Sequence, residues 1–217
     1  MVLYRVMNEV FRSWTHVAVM RALFDTTNGS TGNAVARSGG MHPRSAFKAL
    51  TALEALHLVR RQRGGRDHIF TLNREHFLFE KLIVPVYSGE RAIRGAVEET
   101  LAALLSRHVV SAVIFGSVAR HEEVPGSDLD LCCVTRTPAD KDRIREAVSR
   151  QAPMLMQRYG VNLTPLLFTV TEFRRKAGTK LVKNIVSEGV VIAGISPGRT
   201  LHGKTRQAEK RRAHTIP

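Results

Sequence analysis

Apolar positions recur at helical spacing through the first hundred residues and then give way to short, nearly continuous apolar runs. Trp14, Val17, Met20, Leu23 and Phe24 lie three and four apart, which predicts a helix over residues 4–24. Thr26-Thr27-Asn28-Gly29-Ser30 breaks it with turn-forming residues. A short helix is expected over 31–37 on Ala34, Val35 and Ala36, stopped by Gly39-Gly40. Pro43 suits a helix's first turn, and Phe47, Leu50, Leu53 with Leu56 or His57 predict a helix over 43–57. Two apolar strands, from Leu58 and from His68, flank Gly64-Gly65 as a hairpin. Residues 75–107 read as helical, interrupted at Pro85, with Ile93, Val97, Leu101, Leu104 and Leu105 as a clean stripe. Beyond them lie strands at 109–115, from Leu129 and at 161–170. Helices are expected at 138–151 and 171–176, with a modest stripe of Leu181, Ile185 and Val186 before the apolar run 189–194.

Helix, short helix, helix, hairpin is the element order of a winged helix-turn-helix. The stretch from Ala49 to Arg61 resembles the end of the recognition helix and the start of the wing in MarR- and ArsR-like regulators. That resemblance implies DNA binding. A helix entering a major groove uses small polar and basic side chains near its N-terminus, and Arg44, Ser45 and Lys48 supply them. A wing over the phosphate backbone needs cations at its tip, and Arg61, Arg63 and Arg66 stand there. A docking or dimerisation module is the other use of such a fold.

The richest chemistry follows the apolar run 109–115. Gly116-Ser117 is separated by ten residues from Asp128-Leu129-Asp130, giving G-S-x10-D-x-D. Acids at i and i+2 of a strand share a face. There they can hold Mg2+ (or Mn2+), which prefers carboxylate and phosphate oxygens. Gly116 lets the backbone approach a phosphate, Ser117 adds a hydroxyl and an N–H at the start of a helix, and Arg120 lies one turn on, near developing negative charge. These parts resemble the DNA polymerase beta-like superfamily, in the form of its minimal nucleotidyltransferases, over residues 95–195. The resemblance implies in-line attack on the α-phosphate of a nucleoside triphosphate, ATP first, with Asp128 and Asp130 as the catalytic metal ligands and Gly116, Ser117 and Arg120 on the nucleotide. Active members carry a third carboxylate on the next strand. Here Asn162 and Thr164 are the candidate positions, and neither is acidic. Glu172 is the nearest acid, beyond the strand.

The expected fold class is therefore mixed α+β: a winged helix-turn-helix at 1–74, a helical connector at 75–107, a minimal nucleotidyltransferase at 108–195 with a small mixed sheet flanked by helices, and a basic disordered tail at 196–217. The expected activity is transfer of a nucleotidyl group to a protein or small molecule. Two alternatives remain: a DNA-binding regulator or antitoxin-like protein whose transferase half senses nucleotide or docks protein with weak or no chemistry, and a transferase acting on tRNA. A protein partner or toxin and a homodimer are further expectations.

Charge sharpens this picture. Thirty-three Lys and Arg against 19 Asp and Glu give +14, which favours an anionic partner, nucleic acid first. The excess is +5 in residues 1–80, +1 in 81–169 and +8 in 170–217, so the acids of the D-x-D segment sit in the near-neutral middle. Adjacent Cys132 and Cys133 would face opposite sides of a strand and suit neither a mutual disulfide nor a metal, which fits a reducing, cytoplasmic compartment. No apolar run is long enough to span a membrane, and the N-terminus lacks the pattern of a signal peptide.

Overall fold

A computed structural model describes residues 3–65 and 67–202. Among them are ten α-helices and two small sheets, a mixed α+β architecture. The chain divides into two compact units between Ala92 and Ile93.

In the first unit the expected helix over 4–24 is two helices, α1 (Val6–Val10) and α2 (Trp14–Phe24). Ser13 is extended and starts α2; its hydroxyl bonds to that of Thr15 at 2.7 Å, a local alternative to helix that serine favours. The buried stripe of α2 is His16, Val19, Met20 and Leu23, and Trp14 is 63% exposed rather than on it. A two-residue strand, β1 (Ser30–Thr31), leads to α3 (Gly32–Ser38), whose first turn is capped by the Thr31 hydroxyl accepting from the Ala34 amide at 3.2 Å. Helix α4 (Pro43–Ala55) buries Ala46, Ala49, Leu50 and Leu53. It stops short of 57 because His57 turns left-handed (φ 58°). Phe47 is 41% exposed, not a core residue, and its ring lies edge-on to Phe70. Strands β2 (Val59–Gly64) and β3 (Asp67–Leu72) form the expected hairpin, and β1 adds to its other edge in the order β1-β3-β2. A two-residue strand leaves no periodic trace, so β1 was not foreseen.

Pro85 does not interrupt the following helix. A π-helical turn, Phe79–Ile83, runs directly into α5 (Val84–Leu105). The proline falls in the first turn of α-helical geometry, where its missing N–H costs little, and the wider turn before it accommodates the ring. The first unit keeps the start of α5: Tyr87 is buried and donates to Val17 O at 2.7 Å.

The second unit is a four-stranded mixed sheet in the order β6-β5-β4-β7. Strands β4 (Ser111–Phe115) and β5 (Leu129–Thr135) are antiparallel, β5 and β6 (Leu163–Thr169) parallel, and β4 and β7 (Val190–Gly194) antiparallel. Leu129, Leu131, Cys133 and Ile114 pack with Leu101 and Leu105 of α5 and Ile144 and Val148 of α7 (Pro138–Tyr159). On the opposite face Val113, Phe115, Cys132 and Val134 pack with Phe173 of α8 (Val170–Arg175) and with Val182 and Ile185 of α9 (Lys180–Glu188). Burial on both faces explains why β4 and β5 read as continuous apolar runs.

Two further prolines lie inside elements. Helix α7 passes through Pro153 to Tyr159, eight residues beyond the expected end, and stops at left-handed Gly160. Leu155, beyond the proline, is fully buried and holds that extension in the core. Pro165 lies inside β6, which tolerates it as an edge strand. The strand starts at 163, not 161, and Val170 already belongs to α8. Where a tail was expected, Pro197–His202 form α10, with Pro197 and Thr200 buried; residues 203–217 lie outside the described ones. No helix among the described residues is long and apolar enough to cross a membrane.

Candidate functional site

The site begins where β4 ends. Gly116 has φ +75°, and a Cβ there would overlap the Asp130 carboxylate. Only glycine serves both the left-handed conformation and that approach. Asp130 lies on β5 between Phe115 of β4 and Thr164 of β6 in the strand register. Asp128 is one residue ahead of β5 and exposed. The two carboxylates are thus presented at one end of the sheet, while Leu129 between them enters the core.

The expected helix after Ser117 is a single turn, α6 (Gly116–Ala119). Four residues sum too small a dipole to hold a triphosphate by themselves, so the attraction reduces to the unpaired amides of one turn. Ser117 is half-buried in that turn. Arg120 closes it, and its guanidinium donates to Glu122 at 2.7 Å and to Glu188 at 3.2 Å. Sequence reasoning missed both partners. They raise the pKa of Arg120 still further.

Asp130 is pushed above the usual carboxylate range, first by burial and then by the charge of Asp128, with Arg120 pulling the other way. A carboxylate whose ionisation burial and a neighbouring carboxylate oppose is one that a bound cation relieves. The positions named for a third acid both touch Asp128. The Asn162 amide donates to Oδ1 at 2.6 Å and the Thr164 hydroxyl to Oδ2 at 3.4 Å. Glu172 stands outside the site. It forms a capping box with Thr169 and a salt bridge with Lys141 at 2.9 Å, which hold it down to about 2. Among the described residues no three His, Cys, Asp or Glu side chains converge as a metal cage. The donor set fits one Mg2+, which is usually bound through one or two carboxylates with waters and substrate phosphate completing its shell.

Behind the sheet lies a cavity of about 480 Å3, walled by Val97, Val118, Val124, Leu129, Tyr159 and Val161. It includes neither Asp128 nor Asp130, and no sequence signal marked it.

In the first unit, Arg44 and Lys48 are exposed and Ser45 half-buried on α4. Arg61 and Arg63 are exposed on β2, and Arg61 also meets Glu54 at 3.1 Å. Arg66 lies outside the described residues.

Residues 97–192 match the family model described as "Nucleotidyltransferase domain". The matched segment lies within the second unit. No curated protein matches the chain. Among solved structures, the chain is similar to one described as "toxin-antitoxin with AMP-PNP" (16% identity, 54% of this chain and 90% of that one, TM-score 0.34). It is similar to a mutant of the toxin-antitoxin MntA-HpeT (14% identity, 54% and 89%, TM-score 0.33). It is also similar to TrmBL2, an archaeal chromatin protein (19% identity, 83% and 72%, TM-score 0.28).

Proposed function

We propose that the chain transfers a nucleotidyl group from a nucleoside triphosphate, ATP first, and that its N-terminal unit is a winged helix that binds DNA. The observation that carries the first part is the contact between Gly116 and Asp130, with Asp128 beside it, inside a segment matching a nucleotidyltransferase domain. Asp128 and Asp130 would hold Mg2+ or Mn2+, which when bound neutralises phosphate charge and polarises the α-phosphorus. The amides of α6 and the Ser117 hydroxyl orient the phosphates. Arg120 leaves Glu188 or Glu122 to meet the pyrophosphate. The acceptor oxygen bonds to the α-phosphorus as the bond to pyrophosphate breaks, and the acceptor proton passes to solvent. Arg44, Ser45 and Lys48 face the groove, and Arg61 and Arg63 the backbone.

A specific observation favours a second reading, a DNA-bound regulator with slow or absent chemistry. The position across from Asp130 is Thr164, and a hydroxyl neither ligates Mg2+ as strongly as a carboxylate nor accepts the acceptor's proton. Incubation of the full chain with α-labelled ATP, GTP, CTP or UTP, Mg2+ or Mn2+, and cell extract decides between them. Labelled acceptor that vanishes with Asp128→Asn supports transfer. Nucleotide binding without any labelled product supports the regulator.

A further inference from the structure

Beside the groove-facing side of α4 lies a second cavity of about 360 Å3, between α4 and the turn that joins α1 to α2. Its polar lining is Arg12, Ser13, Thr15, His16, Ser45 and Lys48, without a carboxylate. Arg12 has one partner among the described residues, Glu9 at 3.8 Å, and both are well exposed; Lys48 has none. The lining offers two exposed cations, Arg12 and Lys48, and three hydroxyls, of which those of Ser13 and Thr15 bond to each other at 2.7 Å, and no anion faces them in the cavity.

Helical periodicity places this cavity. At about 100° per residue, Ser45, Lys48, Ala49 and Ala52 share one flank of α4. Arg44, Lys48 and Thr51 share its outward face. Phe47 lies on the other flank, against Phe70 and Gly32. Lys48 therefore stands at the border between the outward face and the cavity. A helix lying in a major groove has a phosphate backbone along each side, and the hairpin's arginines serve one of them. The turn that forms the opposite wall is fixed by the buried ring of His16, whose Nδ1 donates to the Glu9 carbonyl at 3.0 Å.

We infer that this cavity is a clamp for a DNA backbone phosphate, with Arg12, Thr15 and Lys48 as its donors. The inference rests on the DNA-binding reading of the first unit and adds Arg12, Ser13 and Thr15 to that interface. The ligand is a phosphate diester on the strand opposite the hairpin. Arg12 supplies paired N–H groups and Thr15 a hydroxyl at the helix end. His16 acts as a positioning residue through the turn it holds.

The test is fluorescence anisotropy of the full chain with a labelled mixed-sequence duplex of about 25 base pairs across a salt series. Arg12→Ala and Lys48→Ala are each expected to weaken binding several-fold and to lower the slope of log K against log salt by about 0.9. Thr15→Val is expected to weaken binding with the slope unchanged, and Arg12→Lys to retain the slope. Equal thermal melting of the variants shows that the fold persists. Unaltered binding by Arg12→Ala and Thr15→Val, while Lys48→Ala and Arg63→Ala weaken it, overturns the clamp and leaves the DNA reading standing. Unaltered binding by all four overturns both. If Arg12→Ala spares duplex binding but abolishes binding of labelled ATP, the cavity serves free nucleotide and the inference is wrong.

Discussion

Asn162 donates its side-chain amide to Asp128 at 2.6 Å, and this bond occupies one oxygen of a carboxylate that would otherwise be free for a cation. It also holds Asp128 toward β6 and the Thr164 hydroxyl. Neutral groups thus stand where a third acid would, and both bond to Asp128.

Thr164→Asp tests what that costs. The new carboxylate would face Asp130 in the β5–β6 register, and a third oxygen anion raises affinity for a hard divalent ion. Mn2+ titration followed by calorimetry or electron resonance should show affinity at least about tenfold higher, a gain of ~1.4 kcal/mol. Nucleotide transfer should rise in parallel. Tighter metal without faster transfer would mean that another element limits the chemistry.

Asp130→Asn and Asp128→Asn should each reduce transfer by about 100-fold or more, in keeping with several kcal/mol of charge stabilisation at the phosphate. Asp130→Asn should also leave stability equal or slightly higher, because burial and Asp128 both oppose its charge. Denaturation midpoints measured beside activity separate the two effects. A variant that transfers normally would remove the pair from the mechanism.

Gly116→Ala should be harmful twice over. The left-handed backbone disfavours any Cβ, and this one would collide with Asp130. A loss of about 1–3 kcal/mol in stability is expected, with Mn2+ binding lost even at temperatures where the variant is folded. Gly126→Ala serves as a control, since its φ is also positive but its Cβ would meet nothing.

The salt-bridged cap at Glu172 gives a pH signature. Its pKa is held at about 2, below the ordinary value of 4.5. The carboxylate therefore stabilises the fold fully above about pH 4.5, and that contribution is lost as pH falls toward 2. Glu172→Gln should be less stable than the parent chain at neutral pH, with the gap closing on acidification through that window. A gap that does not change with pH would show that the charge contributes nothing.

The D-x-D pair, the glycine and the neutral third position were legible because strand parity and short spacing are written directly in the sequence. What was hidden depends on distant residues. Glu188 lies 68 positions from Arg120, and no local pattern announces that they meet. Pro85 was read as a break because local propensity penalises it, and the helix from Pro138 was ended at 151, short of Pro153. Tertiary packing around Ile83 and Leu155 overrides that penalty. Of the buried stripe of α2, the spacing found Met20 and Leu23 and missed His16 and Val19.

Cys132 and Cys133 sit back to back on β5, one in each layer of the second unit. Burial pushes the Cys132 thiol up to about 12 and that of Cys133 higher, so neither forms the thiolate that alkylating reagents need. Thiol trapping therefore reports only the opening of the second unit's sheet, and the first unit, which holds no cysteine, is silent to it.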